Sequence, residues 1–186
     1  MKRFTQISII LAIIIILFMP LGLQEVRADT FTYTNDVSFN IPDGTADGSG
    51  CELWPATRYF LVNDSFTVND LNVEFSQDHP NRGQLKMTLK APDGTQAVLI
   101  SPDATDNNLN YFIELDDAST NLLNDGDIDD TVTGIRRTVG PSVDGALDSF
   151  NGINAHGTWL MTICDNNFEE LGTAQPFNSA TLVFDG

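Results

Sequence analysis

One histidine, His156, has a neighbourhood that could support acyl-transfer chemistry. It directly precedes a Gly-Thr-Trp run, and a histidine acts as a general base when a serine or cysteine nucleophile lies within hydrogen-bond reach. The residues after it alternate apolar and polar, which is typical of a strand, and no nucleophile-serine motif accompanies them. The sequence therefore predicts that His156 is not catalytic and that Trp159, Met161 and Ile163 share the buried face of a strand.

The other histidine, His79, lies in the segment "SQDHPNRGQL". Histidine is a common metal ligand, but protein metal sites need several ligands at matching spacing, and no second ligand stands at such a spacing here. The segment predicts a surface loop in which His79 hydrogen-bonds the backbone.

An acidic run, "NDGDIDD", at first suggests a calcium loop of the helix-loop-helix kind, with Asp125, Asp127, Asp129 and Asp130 as candidate ligands. That loop requires glycine at its sixth position and glutamate at its twelfth. Counted from Asp125, those positions hold Asp130 and Arg136. The run is therefore interpreted as a solvated loop, with another calcium geometry left open.

Three aspartates are better candidates for a calcium site. Asp116, Asp117 and Asp165 stand at the ends of predicted strands, where loops of a β-sandwich can converge and short carboxylates suit a hard cation. They are predicted as calcium ligands. The alternative is that aspartate is simply a favoured turn residue.

The two cysteines of the chain, Cys51 and Cys164, form an even set. In a secreted protein such a set predicts one disulfide, here between an early segment and a late strand. Trp54, close to Cys51, is the candidate aromatic platform for a bound sugar. Burial of Trp54 against the disulfide is the alternative.

The first 28 residues differ in composition from the rest. Lys2 and Arg3 precede an apolar run over residues 7–23, and "VRAD" places small residues at a signal-peptidase site after Ala28. Residues 1–28 are predicted to be a cleaved signal peptide, and 29–186 a secreted single domain. An uncleaved membrane anchor is the alternative. The chain carries 26 acidic against 9 basic residues, a net charge of −17, which argues against a nucleic-acid partner.

Period-two alternation dominates from residue 31 onward. It predicts strands in "FTYTNDVSFNI", "LNVEF", "LKMTLKA", "AVLI", "YFIEL", "TWLMTIC" and "ATLVF". A tight turn is expected at Asp93-Gly94, a short helix at 146–150 and a short strand in "TGIRRTV" within a region of surface loops. These elements predict an all-β, jelly-roll-like β-sandwich.

Four segments resemble one known family. In order they are "GQLKMTLKAPDGTQAVLI", "IELDDAS", "SFNGINAHGTWLMTICDN" and "LGTAQPFNSATLVF". They are similar to segments of the P domain, or Homo B domain, which accompanies the catalytic domain of kexin- and furin-like convertases and of secreted bacterial subtilases. The resemblance covers residues 37–184, implies a jelly-roll-type β-sandwich and places His156 at a variable position. Gln84 stands where the family usually has aspartate.

The resemblance implies a secreted, non-catalytic module that binds or stabilises a subtilisin-like serine protease or another extracellular partner. In that family the domain is associated with the stability of the protease and its response to calcium or pH, so calcium is the expected cofactor. A calcium-stabilised carbohydrate-binding or adhesive sandwich is the main alternative. Serine-type endopeptidase activity is a further alternative, suggested by family association alone.

Overall fold

The computed structural model describes residues 29–44, 51, 55–121, 123, 132–136, 147–167 and 175–186. Its strands, in chain order, are β1 (Thr30–Asn35), β2 (Phe39–Asn40), β3 (Ala56–Val62), β4 (Asp70–Gln77), β5 (Leu85–Lys90), β6 (Gln96–Ile100), β7 (Tyr111–Leu115), β8 (Val132–Arg136), β9 (Gly157–Asp165) and β10 (Pro176–Asp185). Two short 3-10 helices, Arg82–Gln84 and Leu147–Phe150, complete the described elements.

The strands form two sheets. Sheet I has the order β1-β10-β4-β7-β8, with β2 also paired to β10, and sheet II has the order β3-β9-β5-β6. All neighbouring strands are antiparallel except β7 and β8, which are parallel. The predicted all-β, sandwich-like architecture is confirmed, whereas the jelly-roll connectivity stays a prediction.

The core lies between the inner faces of the two sheets. Trp159 of sheet II is fully buried, and its ring centroid lies 5.1 Å from that of Phe184 in sheet I. The indole Nε1–H donates to the carbonyl of Ala155 at 2.8 Å, so the polar atom of this side chain is satisfied inside the core. Met161 and Ile163 are also buried, as the alternation in this strand predicts.

Two predicted elements differ from the structure. The single strand predicted through "FTYTNDVSFNI" is divided into β1 and β2, and Val37 between them is 66% exposed. The sequence analysis also missed β3, because apolar residues occupy both faces of "ATRYFLV" and blur the alternation.

Other local predictions are confirmed. The turn at Asp93-Gly94 closes through a hydrogen bond from the Ala91 N–H to the Thr95 carbonyl, and Gly94 has a φ of 98°. That value favours glycine because it has no Cβ. The predicted short helix is the 3-10 turn Leu147–Phe150, and the strand expected in "TGIRRTV" is β8.

The predicted signal peptide, residues 1–28, lies outside the described residues. Among the helices that the structure does describe, none has the length and apolar character needed to cross a membrane.

Candidate functional site

The outer face of sheet II has a charge pattern that is unusual for so acidic a chain. Its outward positions are Thr57, Tyr59, Leu61, Lys86, Thr88, Lys90, Gln96, Val98, Thr158, Leu160, Thr162 and Cys164. None of these is a carboxylate, and the two lysines are their only charges. We call this set the lysine face. Sequence reasoning missed it along with β3.

Large apolar side chains lie exposed on the lysine face. Tyr59 and Leu61 are 61% and 63% exposed. Tyr59 lies directly opposite Leu160 on β9, and Leu160 lies directly opposite Lys90 on β5, so an apolar row ends in a cation. Such a surface combines a tyrosine and aliphatic groups with neighbouring charged side chains, a combination that is found at protein interfaces.

The outer face of sheet I has the opposite charge. Its outward positions are Thr30, Thr32, Thr34, Asp70, Asn72, Glu74, Ser76, Phe112, Glu114, Thr133, Ile135, Ser179, Thr181, Val183 and Asp185. Four of these residues are carboxylates and none is lysine or arginine. We call this set the acidic face.

A groove crosses the acidic face over β4, β7 and β8. Its volume is about 310 Å³, and Glu74, Phe112, Glu114 and Ile135 are among its lining residues. Glu74 and Glu114 are directly opposite each other on neighbouring strands. Partial burial and then the charge of Glu74 raise the pKa of Glu114.

The structure does not bring the three predicted calcium ligands together. Asp116 follows β7 at the end of the sandwich where β4 begins, and burial and then the charge of Asp116 raise the pKa of Asp70 there. Asp117 lies at the same end, where its Oδ2 accepts the N–H of Asp148 at 3.0 Å. Asp165 contacts His79, just beyond the other end of β4. The predicted set is therefore not one site.

No group of three or more His, Cys, Asp or Glu residues within the described part of the chain could hold a metal ion. Calcium binding itself stays a prediction. The acidic run that contains Asp125, Asp127, Asp129 and Asp130 lies outside the described residues.

His79 is buried, so the predicted surface location is wrong. Its Nε2 lies 3.2 Å from Asp165 Oδ2, and its Nδ1 accepts the N–H of Asn81 at 3.0 Å. The backbone hydrogen bond was predicted correctly, and it leaves Nε2 to donate to the carboxylate. Asp165 continues the inward-facing set of β9, which places its side chain in the interior, where it needs a partner.

A second side-chain pair, with Arg82 buried and Asp106 partly exposed, holds the neighbouring loop. The Arg82 Nε donates to Asp106 Oδ2 at 2.8 Å, and Nη1 donates to the Leu109 carbonyl at 3.1 Å. Gly83 is required beside it, because a Cβ there would collide with the carbonyl oxygens of Asp103 and Asp106. Both side-chain pairs therefore serve to join loops at this end of the sandwich.

His156 is exposed in an open pocket that Ser65 and Asp93 also line. Serine, histidine and aspartate are the residue types of a hydrolase triad, but the contacts of these three residues are not those of a triad. Ser65 Oγ accepts from Asn154 Nδ2 at 3.1 Å, and none of the hydrogen bonds found in the described region joins the ring of His156 to Ser65 or Asp93. Among the described residues, no hydrogen bond therefore joins the ring to a nucleophile.

The predicted disulfide is confirmed. Cys51 and Cys164 are bonded with a Cα–Cα distance of 5.0 Å across a sequence separation of 113. Cys164 occupies the lysine face, so the bond ties Cys51 to that face. Trp54, the predicted sugar platform, lies outside the described residues.

Solved structures share this fold. A serine protease of Aeromonas sobria matches with a TM-score of 0.55 and 18% identity, over 86% of this chain and 27% of that protease. The complex of the same protease with the chaperone ORF2 matches with a TM-score of 0.51, also at 18% identity and with the same coverage of both chains. A search of curated proteins finds no match.

The family model for the proprotein convertase P-domain matches residues 68–179. This range runs from the residues just before β4 into β10, so it includes strands from both sheets. It also spans more than half of the 186 residues. The chain therefore belongs to the proprotein convertase P-domain family.

Proposed function

We propose that this chain is a secreted, non-catalytic P-domain module that binds and stabilises a subtilisin-like serine protease through the lysine face. The observation that carries the proposal is the charge pattern of that face: in a chain with 26 acidic residues, its outward positions hold two lysines and no carboxylate. A surface from which the prevailing charge is absent is free of the repulsion that would oppose contact with another protein.

The exposed apolar residues of the face support the same conclusion. Tyr59 and Leu61, each more than half exposed, project from the edge strand β3 beside Leu160. Tyrosine is enriched among the residues that dominate binding energy at interfaces. Lys86 and Lys90 on the inner strand β5 add positive charge beside the apolar residues. This chemistry fits a partner surface with an apolar patch beside acidic groups.

The family supplies the class of partner. P-domains are accessory to proteases, and in the Aeromonas protease the matched part is joined to a much longer serine protease chain. Docking of this chain onto a separate protease would bury the exposed apolar row and stabilise the protease by mass action. Calcium belongs to the proposal as a stabilising ion, with Asp116 and Asp117 as its ligands and Asp165 removed from the set.

The test is a titration of a subtilisin-like protease from the same source with the purified chain, with binding and protease melting temperature as readouts. We expect Tyr59→Thr with Leu61→Thr to weaken binding by more than about tenfold, because truncating a residue that anchors an interface costs about 2 kcal/mol or more. The matched control is Phe112→Thr with Ile135→Thr, which removes two exposed apolar residues from the acidic face. Equal affinity of the first variant and the wild type would overturn the proposed surface.

Absence of catalysis has its own test. A fluorophosphonate probe labels serines that a catalytic base activates, and we expect no labelling of the purified chain. Labelling that is lost in Ser65→Ala or His156→Ala would instead support the endopeptidase alternative.

A further inference from the structure

We propose that the groove on the acidic face, over β4, β7 and β8, docks a basic segment of a partner protein, with a lysine or arginine placed at Glu74 and Glu114 and apolar side chains against Phe112 and Ile135. This surface lies on the opposite sheet from the lysine face. The inference therefore goes beyond the proposed function and does not depend on it.

One side of the groove is formed by apolar side chains that are exposed to solvent. Phe112 is 42% exposed and Ile135 is 47% exposed. Gly134, between Thr133 and Ile135, also lines the groove and contributes no side chain to it. With a volume of about 310 Å³, the groove is of a size that accommodates a few side chains.

The charged side of the groove carries a pair of carboxylates that is unfavourable for stability. Glu74 and Glu114 lie directly opposite each other on antiparallel strands, a position in which like charges destabilise a sheet. One oxygen of Glu114 accepts from Asn72 Nδ2 at 3.0 Å, which leaves its other oxygen available to a ligand. No lysine or arginine stands at the outward positions of the described strands of sheet I to offset the two charges.

A cation placed between the two carboxylates would offset their mutual repulsion. It could form a charge-assisted hydrogen bond with either carboxylate. The adjacent Phe112 and Ile135 then select what accompanies that cation, because burying them favours apolar neighbours in the ligand. Together they specify a basic side chain flanked by apolar ones, which a simple cation does not satisfy.

A partner protein fits this groove better than a second copy of the chain. Each copy carries a net charge of −17, and two such copies repel each other over several ångströms at physiological salt. The same charge attracts a basic partner and accelerates its encounter. The occupant we assign is therefore a basic and apolar segment of another protein.

The experiment uses a short peptide that alternates valine and lysine, with glutamine and glutamate counterparts in place of lysine. Binding to the purified chain is followed by amide chemical shifts. We expect the lysine peptide alone to bind, with the largest shifts at Phe112, Glu114 and Ile135. Glu74→Gln with Glu114→Gln should weaken binding by about fivefold or more.

Asp29→Asn with Asp36→Asn is the matched control, since it also removes two negative charges, but from exposed positions at the ends of β1. Its affinity for the lysine peptide should stay within about twofold of the wild type. Equal weakening by both double variants would show attraction to net charge only and overturn the groove. So would shifts centred elsewhere, the absence of binding at millimolar peptide, or concentration-dependent self-association that Glu74→Gln with Glu114→Gln abolishes.

Discussion

The two outer faces of this sandwich carry similar neutral side chains but differ in charge. Both are sheet surfaces with threonines and two exposed large hydrophobic residues: Phe112 and Ile135 on the acidic face, Tyr59 and Leu61 on the lysine face. The acidic face carries four carboxylates and no cation, and the lysine face two lysines and no carboxylate, at the outward positions of the described strands. A chain at −17 is thus uneven in charge at the scale of a binding surface.

The difference shows where the sequence is free to vary. Inward positions of both sheets meet in one core, where Trp159 contacts Phe184, and must be apolar and complementary in volume. Outward positions meet only solvent or a partner, so their charge can diverge without affecting the fold. Two faces with opposite charge are therefore suited to two different partners.

The largest effect on stability is expected from Trp159, the residue that packs sheet II against sheet I. Trp159→Ala should lower the free energy of unfolding by about 3–5 kcal/mol, because it removes a fully buried indole from between the sheets. Urea unfolding measures the loss, and both faces should lose protection against amide exchange together. His156→Ala, at an exposed position before the same strand, is the control and should change stability little. A larger loss from the histidine variant would contradict the assignment of this strand.

Loss of the disulfide should affect the two faces unequally. Cys51→Ser with Cys164→Ser should cost about 2–5 kcal/mol, since the bond closes a long loop in the unfolded chain. Amide exchange should rise more near Cys164 than on the acidic face, because in the folded chain the bond also holds Cys51 against the lysine face. Reduction of the wild type provides the comparison, and equal loosening of both faces would mean that the bond does not act locally.

Calcium should distinguish a bound ion from general screening of the acidic surface. Binding to the folded chain alone would add about 2.7 kcal/mol at a hundred times the dissociation constant. The melting temperature in millimolar calcium is compared with that in sodium chloride of equal ionic strength. We expect a calcium-specific rise that Asp116→Asn with Asp117→Asn removes.

Asp165→Asn serves as the control for the calcium experiment. It should lower stability to a similar extent with and without calcium, because Asp165 is buried against His79. A rise that sodium reproduces would leave only a solvated acidic surface.

The smallest effect is expected within the acidic face. Burial and the charge of Glu74 raise the pKa of Glu114. A carboxyl with a higher pKa in the folded chain contributes stability at low pH, and this contribution is lost as the pH rises through its folded-state pKa. Glu74→Gln should therefore stabilise the chain at neutral pH by about 0.2–1 kcal/mol.

The gain from Glu74→Gln should disappear at acidic pH, where Glu114 is protonated and no longer repels Glu74, and in molar salt, where charges are screened. Thermal unfolding across pH measures it. Asp36→Asn is the matched control, since it removes one exposed charge after β1. An equal gain from Asp36→Asn would show that net charge, and not the opposed pair, sets the penalty.

Much of the architecture could be predicted from alternation in the sequence. "LKMTLKA" and "TWLMTIC" place every second side chain on one side of a strand, so the buried faces of β5 and β9 follow directly. β3 was missed for the same reason: with Tyr59 and Leu61 on one side and Phe60 and Val62 on the other, alternation disappears. The lysine face was lost with it.

The sequence by itself determined which side chains of most strands face inward, that the two cysteines pair, and that His156 precedes a structural strand. Only the tertiary structure decided which strands are neighbours. Periodicity is a local property, whereas strand order depends on contacts between residues far apart in the chain. That order joins Asp165 to His79 at a separation of 86 residues and places Glu74 opposite Glu114. It also separates Asp165 from Asp116 and Asp117, although all three end or follow a strand.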